Sequence, residues 1–175
     1  MKIIDLSLPI YTGMPVYPWD SEMNLEQIQN IDQHDWNMKR LHINTHDGTH
    51  VNVPIHCMEW GKTLDDYSVT DFIWPARIYQ SNDDIIAGEG LVFHKGNISW
   101  DIAEKIIQTR PSFIALSQEF EFDIELERYL LEHNIISFER LENTHLLPKT
   151  FMFYGVPLKI RQWDGSPVRA FAMIA

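Results

Sequence analysis

The sequence has 175 residues, 45% of them hydrophobic and 22% charged, which suits one domain with a real core and argues against disorder. Lys and Arg number 14 against 25 Asp and Glu, a formal net charge of −11, so the chain repels phosphate backbones and nucleic-acid binding is not expected. A single cysteine, Cys57, excludes an internal disulfide, and Asp5 interrupts the apolar start Met1-Lys2-Ile3-Ile4; neither a signal peptide nor a membrane anchor is expected, and cytoplasm is the expected location.

In chain order, Ile3 to Ile10 predicts a strand, and a loop follows around Gly13-Met14-Pro15 and Tyr17-Pro18-Trp19-Asp20. Leu41 to Thr45 alternates, with His42, Asn44 and His46 on the polar face, and predicts a second strand. Asp65 to Phe72 suggests a short helical or turn segment, and Ala76 to Tyr79 and Gly90 to Phe93 suggest short strands. Ser99 to Gln108 opens on a helix-start residue and spaces Ile102, Ala103, Ile106 and Ile107 along one helical face, with Pro111 just beyond. Phe113 to Leu116 reads as a buried strand, Ile124 to His133 as a helix ended by Asn134, and Ile135 to Phe138 as a strand. Phe151 to Tyr154, Pro157 to Ile160 and Ala170 to Ile174 complete the strands. No repeat or linker divides the chain, so residues 1–175 are expected to form one α/β domain.

The chemistry concentrates in one window. Of eight histidines, His42, His46, His50 and His56 fall within fifteen residues. His46 and His50 are four apart, but Gly48, the β-branched Thr45 and Thr49, and Pro54 oppose a helix. A strand, a tight glycine turn and a second strand would bring the two rings to a common point. In an extended chain His50, Asn52, Pro54 and His56 would share one face. Neutral imidazole is the commonest side-chain ligand for zinc and similar ions, and a catalytic site keeps about three protein ligands and an open position. A histidine outside the ligand set can carry protons. Cys57 beside His56 points to the opposite face of a strand, which disfavours a nucleophile and base pair.

His46-Asp47-Gly48-Thr49-His50-Val51-Asn52-Val53-Pro54-Ile55-His56 resembles the H-x-G-T-H-x-D-x-P-x-H signature of the cyclase-like metal hydrolases, which include bacterial kynurenine formamidase and isatin hydrolase. Asp5-Leu6-Ser7 with Met14-Pro15 and Pro18 resembles the family's opening, and Pro157 to Ile160 with Asp164 to Ala170 its ending. The stretch from about Ser81 to Asp123 matches poorly. The resemblance implies a swivelling β/β/α-type domain with a mixed sheet, a homodimer or higher homo-oligomer, and one or two divalent ions, zinc or manganese. By that resemblance His46 and His50 are metal ligands, Glu139 is a later ligand, and His56 is the general acid/base. Two positions depart: Asn52 stands where the motif has a ligand aspartate, and Glu127 stands where a histidine ligand is expected, twelve residues before Glu139. One carboxylate is lost and one gained, so an oxygen-richer site, with Asn52 and Glu127 still in the ligand set and manganese or magnesium favoured over zinc at its second position, is one expectation; decay of the site with loss of the second metal is its rival. Trp19 and Trp36 could flank an aryl substrate, and Asp164 and Arg169 could support the site.

The expected activity is metal-assisted hydrolysis of a C–N bond in an amide or cyclic amide, of the arylformamidase type that serves tryptophan catabolism, on a small-molecule substrate. A non-catalytic metal or small-molecule binding protein is the rival that Asn52 favours and His56 opposes. An ester or lactone hydrolase on the same site is a third reading.

Overall fold

Runs of β-branched and aromatic residues recur every dozen or so positions, and the protein is accordingly built on strands. The computed structural model describes residues 1–81 and 83–174. In chain order the elements are β1 (Lys2–Asp5), β2 (Asn24–Gln29), α1 (Ile31–His34), β3 (Met38–His42), β4 (His50–Asn52), β5 (Ile73–Ile78), β6 (Gly90–Phe93), α2 (Trp100–Thr109), β7 (Phe113–Ser117), α3 (Ile124–Glu132), β8 (Ser137–Leu141), β9 (Thr150–Tyr154), β10 (Gly165–Pro167) and β11 (Phe171–Ile174). Nine strands form one mixed sheet in the order β1-β11-β9-β5-β6-β7-β8-β4-β10, and β2 with β3 forms a separate antiparallel hairpin. The fold is thus mixed α/β, as the sequence suggests.

The centre of the sheet, β5 to β8, is parallel, and both flanks are antiparallel. Parallel neighbours require crossovers, and α2 and α3 supply two of them, between β6 and β7 and between β7 and β8. Asp123 caps α3 by accepting the Leu126 amide at 3.0 Å. Strand alternation sorts the central residues onto two faces. Ile114 and Leu116 join Ala103, Ile106, Leu126 and Leu130 under the helices. Phe113 and Ala115 turn to the other face, where Phe113, Phe138 and Phe153 pack with ring centroids 4.6–5.1 Å apart. Phe138→Ala removes a fully buried ring from this trio, and a loss of about 3–5 kcal/mol in chemical denaturation is expected.

Several boundaries differ from the sequence reading. β1 ends at Asp5, well short of Ile10. The second predicted strand is β3 and stops at His42, before Thr45. Pro157 to Ile160 is not a strand; Pro157 makes only an isolated bridge to Val168. β5 begins at Ile73 and runs through Pro75. That proline is tolerated because β5 pairs only with β9 there; pairing with β6 starts at Ala76. The segment Asp65 to Phe72 forms two 3₁₀ turns, Leu64–Asp66 and Val69–Phe72, each closed by a capping box.

Candidate active site

The histidine window folds as a turn, a three-residue strand and a 3₁₀ turn. Gly48 adopts φ +65°, the left-handed conformation that a glycine takes without a steric penalty. Just before it, the Asn44 amide donates to Asp47 Oδ2 at 2.8 Å. β4 then runs between β8 and β10. Val51 enters the core, while His50 and Asn52, both buried, occupy the opposite face. The extended run stops there, so His56 does not continue that face as expected. Pro54 fits the first position of the 3₁₀ turn Pro54–His56, which needs no amide proton. The turn still returns His56 to the cluster, with its ring centroid 4.0 Å from that of His46; His46 and His50 are 5.3 Å apart.

At the floor, His50 Nδ1 lies 2.9 Å from the Gly48 carbonyl oxygen. A carbonyl only accepts, so Nδ1 carries a proton and Nε2 is the ring nitrogen turned to the site. It lies 3.3 Å from Glu139 Oε1, and against burial, hydrogen bonding from His50 holds the Glu139 carboxyl below its ordinary value. Asn52 Nδ2 donates to Glu127 Oε1 and to Glu139 Oε1, both at 2.7 Å, and Ser137 Oγ donates to Glu127 Oε1 at 2.6 Å. Limited solvent and the neighbouring Glu139 charge push the Glu127 carboxyl above its ordinary value. Glu139 sits beside a β-bulge: Ala115 pairs with Phe138 but Ser117 with Leu141, and the extra residue puts Arg140 at φ +57°. Bulges commonly re-aim side chains beside functional sites.

At the rim stands Asp164, which the sequence offered only as a support in a turn. His46 Nε2 lies 2.9 Å and His56 Nδ1 3.4 Å from Asp164 Oδ2, and His46 Nδ1 lies 2.7 Å from Asn52 Oδ1. A neutral His46 can donate to only one of those two oxygens, so the other faces a lone pair. Ligand atoms of His46, His56 and Asp164 all fall within 4.8 Å of one another. Burial alone would raise Asp164, but hydrogen bonds from His46 and His56 outweigh it and hold the carboxyl far below its usual range. The same Asp164 contact lifts His56 above the ordinary imidazole value, against burial, with Glu127 and Glu139 adding to the negative field.

Gly165 makes this approach possible. It pairs with Asn52 across β10 and β4, and a Cβ there would meet Val51 O at 2.6 Å and His46 Cε1 at 2.8 Å. Gly165→Ala is therefore expected to cost about 1–3 kcal/mol in urea unfolding by overpacking. It should also displace the His46 ring, with a drop in bound metal as the second readout.

The structure brings together His46, His50, Asn52, His56, Glu127, Glu139 and Asp164 and leaves other candidates outside. His42 Nε2 pairs with Glu26 on the exposed hairpin at 2.9 Å. Arg169 forms a salt bridge with Asp5. Cys57 has its thiol pushed up by burial and by the Glu132 charge, which makes it a poor nucleophile. Trp19 is fully exposed and Trp36 is 64% exposed. The loop before Trp19 does line a cleft of about 330 Å³, through Tyr11, Met14 and Pro15 with Arg140 and Glu142, but neither tryptophan nor any histidine lines it.

The Cyclase family model matches residues 4–138. The chain belongs to the cyclase family. A kynurenine formamidase of Salinibacter ruber is 25% identical, over 97% of this chain and 96% of its own. Among solved structures, isatin hydrolase A from Ralstonia solanacearum superposes with a TM-score of 0.81 at 17% identity, covering 99% of this chain and 92% of its own. A Bacillus stearothermophilus protein described as a predicted metal-dependent hydrolase gives 0.79 at 20% identity, over 98% of this chain and 97% of its own. At such identities the two structures establish the cyclase fold alone.

Proposed function

We propose that this protein is a metal-dependent hydrolase that cleaves the C–N bond of an amide or cyclic amide, with an aryl formamide as the leading substrate class. The observation that carries the metal is the convergence of imidazoles and carboxylates: ligand atoms of His46, His56 and Asp164 fall within 4.8 Å of one another, and His50 Nε2 meets Glu139 Oε1 at 3.3 Å beside them. Two ligands about 2.0–2.1 Å from one divalent ion stand about 3.3 Å apart at the tetrahedral angle. Imidazole and carboxylate donors suit a zinc or manganese ion, and by the motif resemblance His46, His50 and Glu139 would hold it. The backbone contact of His50 supplies the second-shell anchor that metal-binding imidazoles use.

When bound, such an ion would supply an activated water and polarise the scissile carbonyl. The protein's own groups do the rest. His56, half-exposed at the rim, moves the proton to the departing nitrogen. Asp164 fixes the His56 ring and its tautomer through Nδ1, as a carboxylate orients the histidine of a catalytic triad. Glu127 and Asn52 hold Glu139 in place from the floor. The amide specificity draws on the kynurenine formamidase relatives, and a homo-oligomer in the cytoplasm remains the setting proposed for it.

The test is metal content by mass spectrometry on protein purified without chelator, beside hydrolysis of N-formylkynurenine in zinc and in manganese. Bound metal with turnover supports the proposal. Bound metal with faster turnover of a matched aryl ester would move the assignment to an ester or lactone hydrolase. No metal and no turnover would overturn it in favour of a binding protein.

A further inference from the structure

We infer that this chain holds a single metal ion, and that the Asn52 amide occupies the place between Glu127 and Glu139 where a second cation would sit. The inference rests on the metal-dependent reading above and concerns how many ions that site takes. Asn52 is 1% exposed, and both of its N–H donors and its carbonyl oxygen are engaged. Nδ2 donates one proton to Glu127 Oε1 and the other to Glu139 Oε1, each at 2.7 Å, and Oδ1 faces His46 Nδ1 at 2.7 Å. Rotating the amide would turn its oxygen onto two carboxylates, so the network fixes its orientation.

Paired-metal sites hold their ions about 3.5–4 Å apart, joined by groups that donate electron pairs to both. Asn52 presents hydrogens in that direction. Its NH₂ group bridges the two carboxylates as a cation would, without bringing a charge. Ser137 adds a third donor, from its hydroxyl to Glu127 Oε1 at 2.6 Å. Glu127 Oε1 thereby accepts two protein hydrogen bonds on the side facing Glu139, while His50 Nε2 lies 3.3 Å from Glu139 on the other. One position is filled by the chain and the other is left for an ion. Asn52 and Glu127 are positioning residues for Glu139 in this arrangement.

The experiment is metal stoichiometry of the full chain, saturated separately with zinc and manganese, desalted and measured by mass spectrometry. Manganese electron paramagnetic resonance provides a second readout. The expected result is one ion per chain and an uncoupled six-line manganese spectrum. Asn52→Asp, which replaces the bridging donor by a bridging acceptor, is expected to raise the count to two with a spin-coupled spectrum. Should that variant fail to fold, titration of the parent with manganese followed by the six-line signal serves instead, and it is expected to saturate at one equivalent. Two ions in the parent chain, or a folded Asn52→Asp whose count stays at one, overturns the inference and leaves the hydrolase reading standing. No ion in the parent overturns both.

Discussion

Replacing His56 with Ala is expected to lower kcat by about 10²–10⁴-fold while leaving the bound ion in place. Half of this prediction concerns chemistry and half concerns assignment. His56 sits on a 3₁₀ turn at the rim, braced by Asp164 Oδ2 at 3.4 Å, which suits a group that meets solvent and substrate. Yet its ligand atom also lies within 4.8 Å of those of His46 and Asp164, close enough for the three to grip an ion themselves. Measuring metal content beside turnover distinguishes the two roles. A slow enzyme with full metal makes His56 the proton carrier. A variant that loses its metal makes His56 a ligand and transfers the proton role elsewhere.

Removing the metal is the second large effect. At 100 to 1,000 times Kd, an ion that binds only the folded state stabilises it by about 2.7–4.1 kcal/mol. In a chain of this size that corresponds to a melting shift on the order of 5–16 °C, to be read by calorimetry before and after chelation. The chelated protein should also carry a distinct pH signature. Glu127 is shifted upward by burial and by Glu139, so the folded state holds its proton more tightly than the unfolded chain does. That contribution is fully present below the ordinary carboxylate value and is lost as pH rises through the shifted value. Chelated Glu127→Gln should show a flatter stability profile over that window, and an unchanged profile would place the titrating group elsewhere.

What the sequence revealed depended on burial. β6, β7 and the two long helices were legible because apolar residues recur at the period of each element. β2 was not, because Asn24–Gln29 lies in an exposed hairpin with no buried face to impose alternation. β4 and β10 have three residues each, too few to show a period, and β10 ends on a proline. The motif singled out His46, His50 and His56 as candidates, and the family match agrees with the family resemblance that the motif carries. Their arrangement could not be read locally. The position of His56 depends on Pro54 ending the extended run. Asp164 looks like half of an ordinary Asp-Gly turn until the missing Cβ of Gly165 is seen to admit the His46 ring. For Asn52, chemistry was visible as a departure from the motif, but the donors aimed at two carboxylates required coordinates.

The contact between His46 and Asp164 spans 118 positions of the chain, and β4, which carries His50 and Asn52, is wedged between β8 and β10. No fragment lacking the last strands can assemble this coordination sphere. Contacts of such long range are costly in loop entropy and slow to form, which is the kinetic signature of high contact order. On the metal-dependent reading, ion capture would come at the end of folding, after the sheet has closed. In a refolding experiment, zinc added at time zero should leave the rate of sheet formation unchanged and slow only the reverse reaction, because the ion grips a structure that the folding transition state has yet to complete.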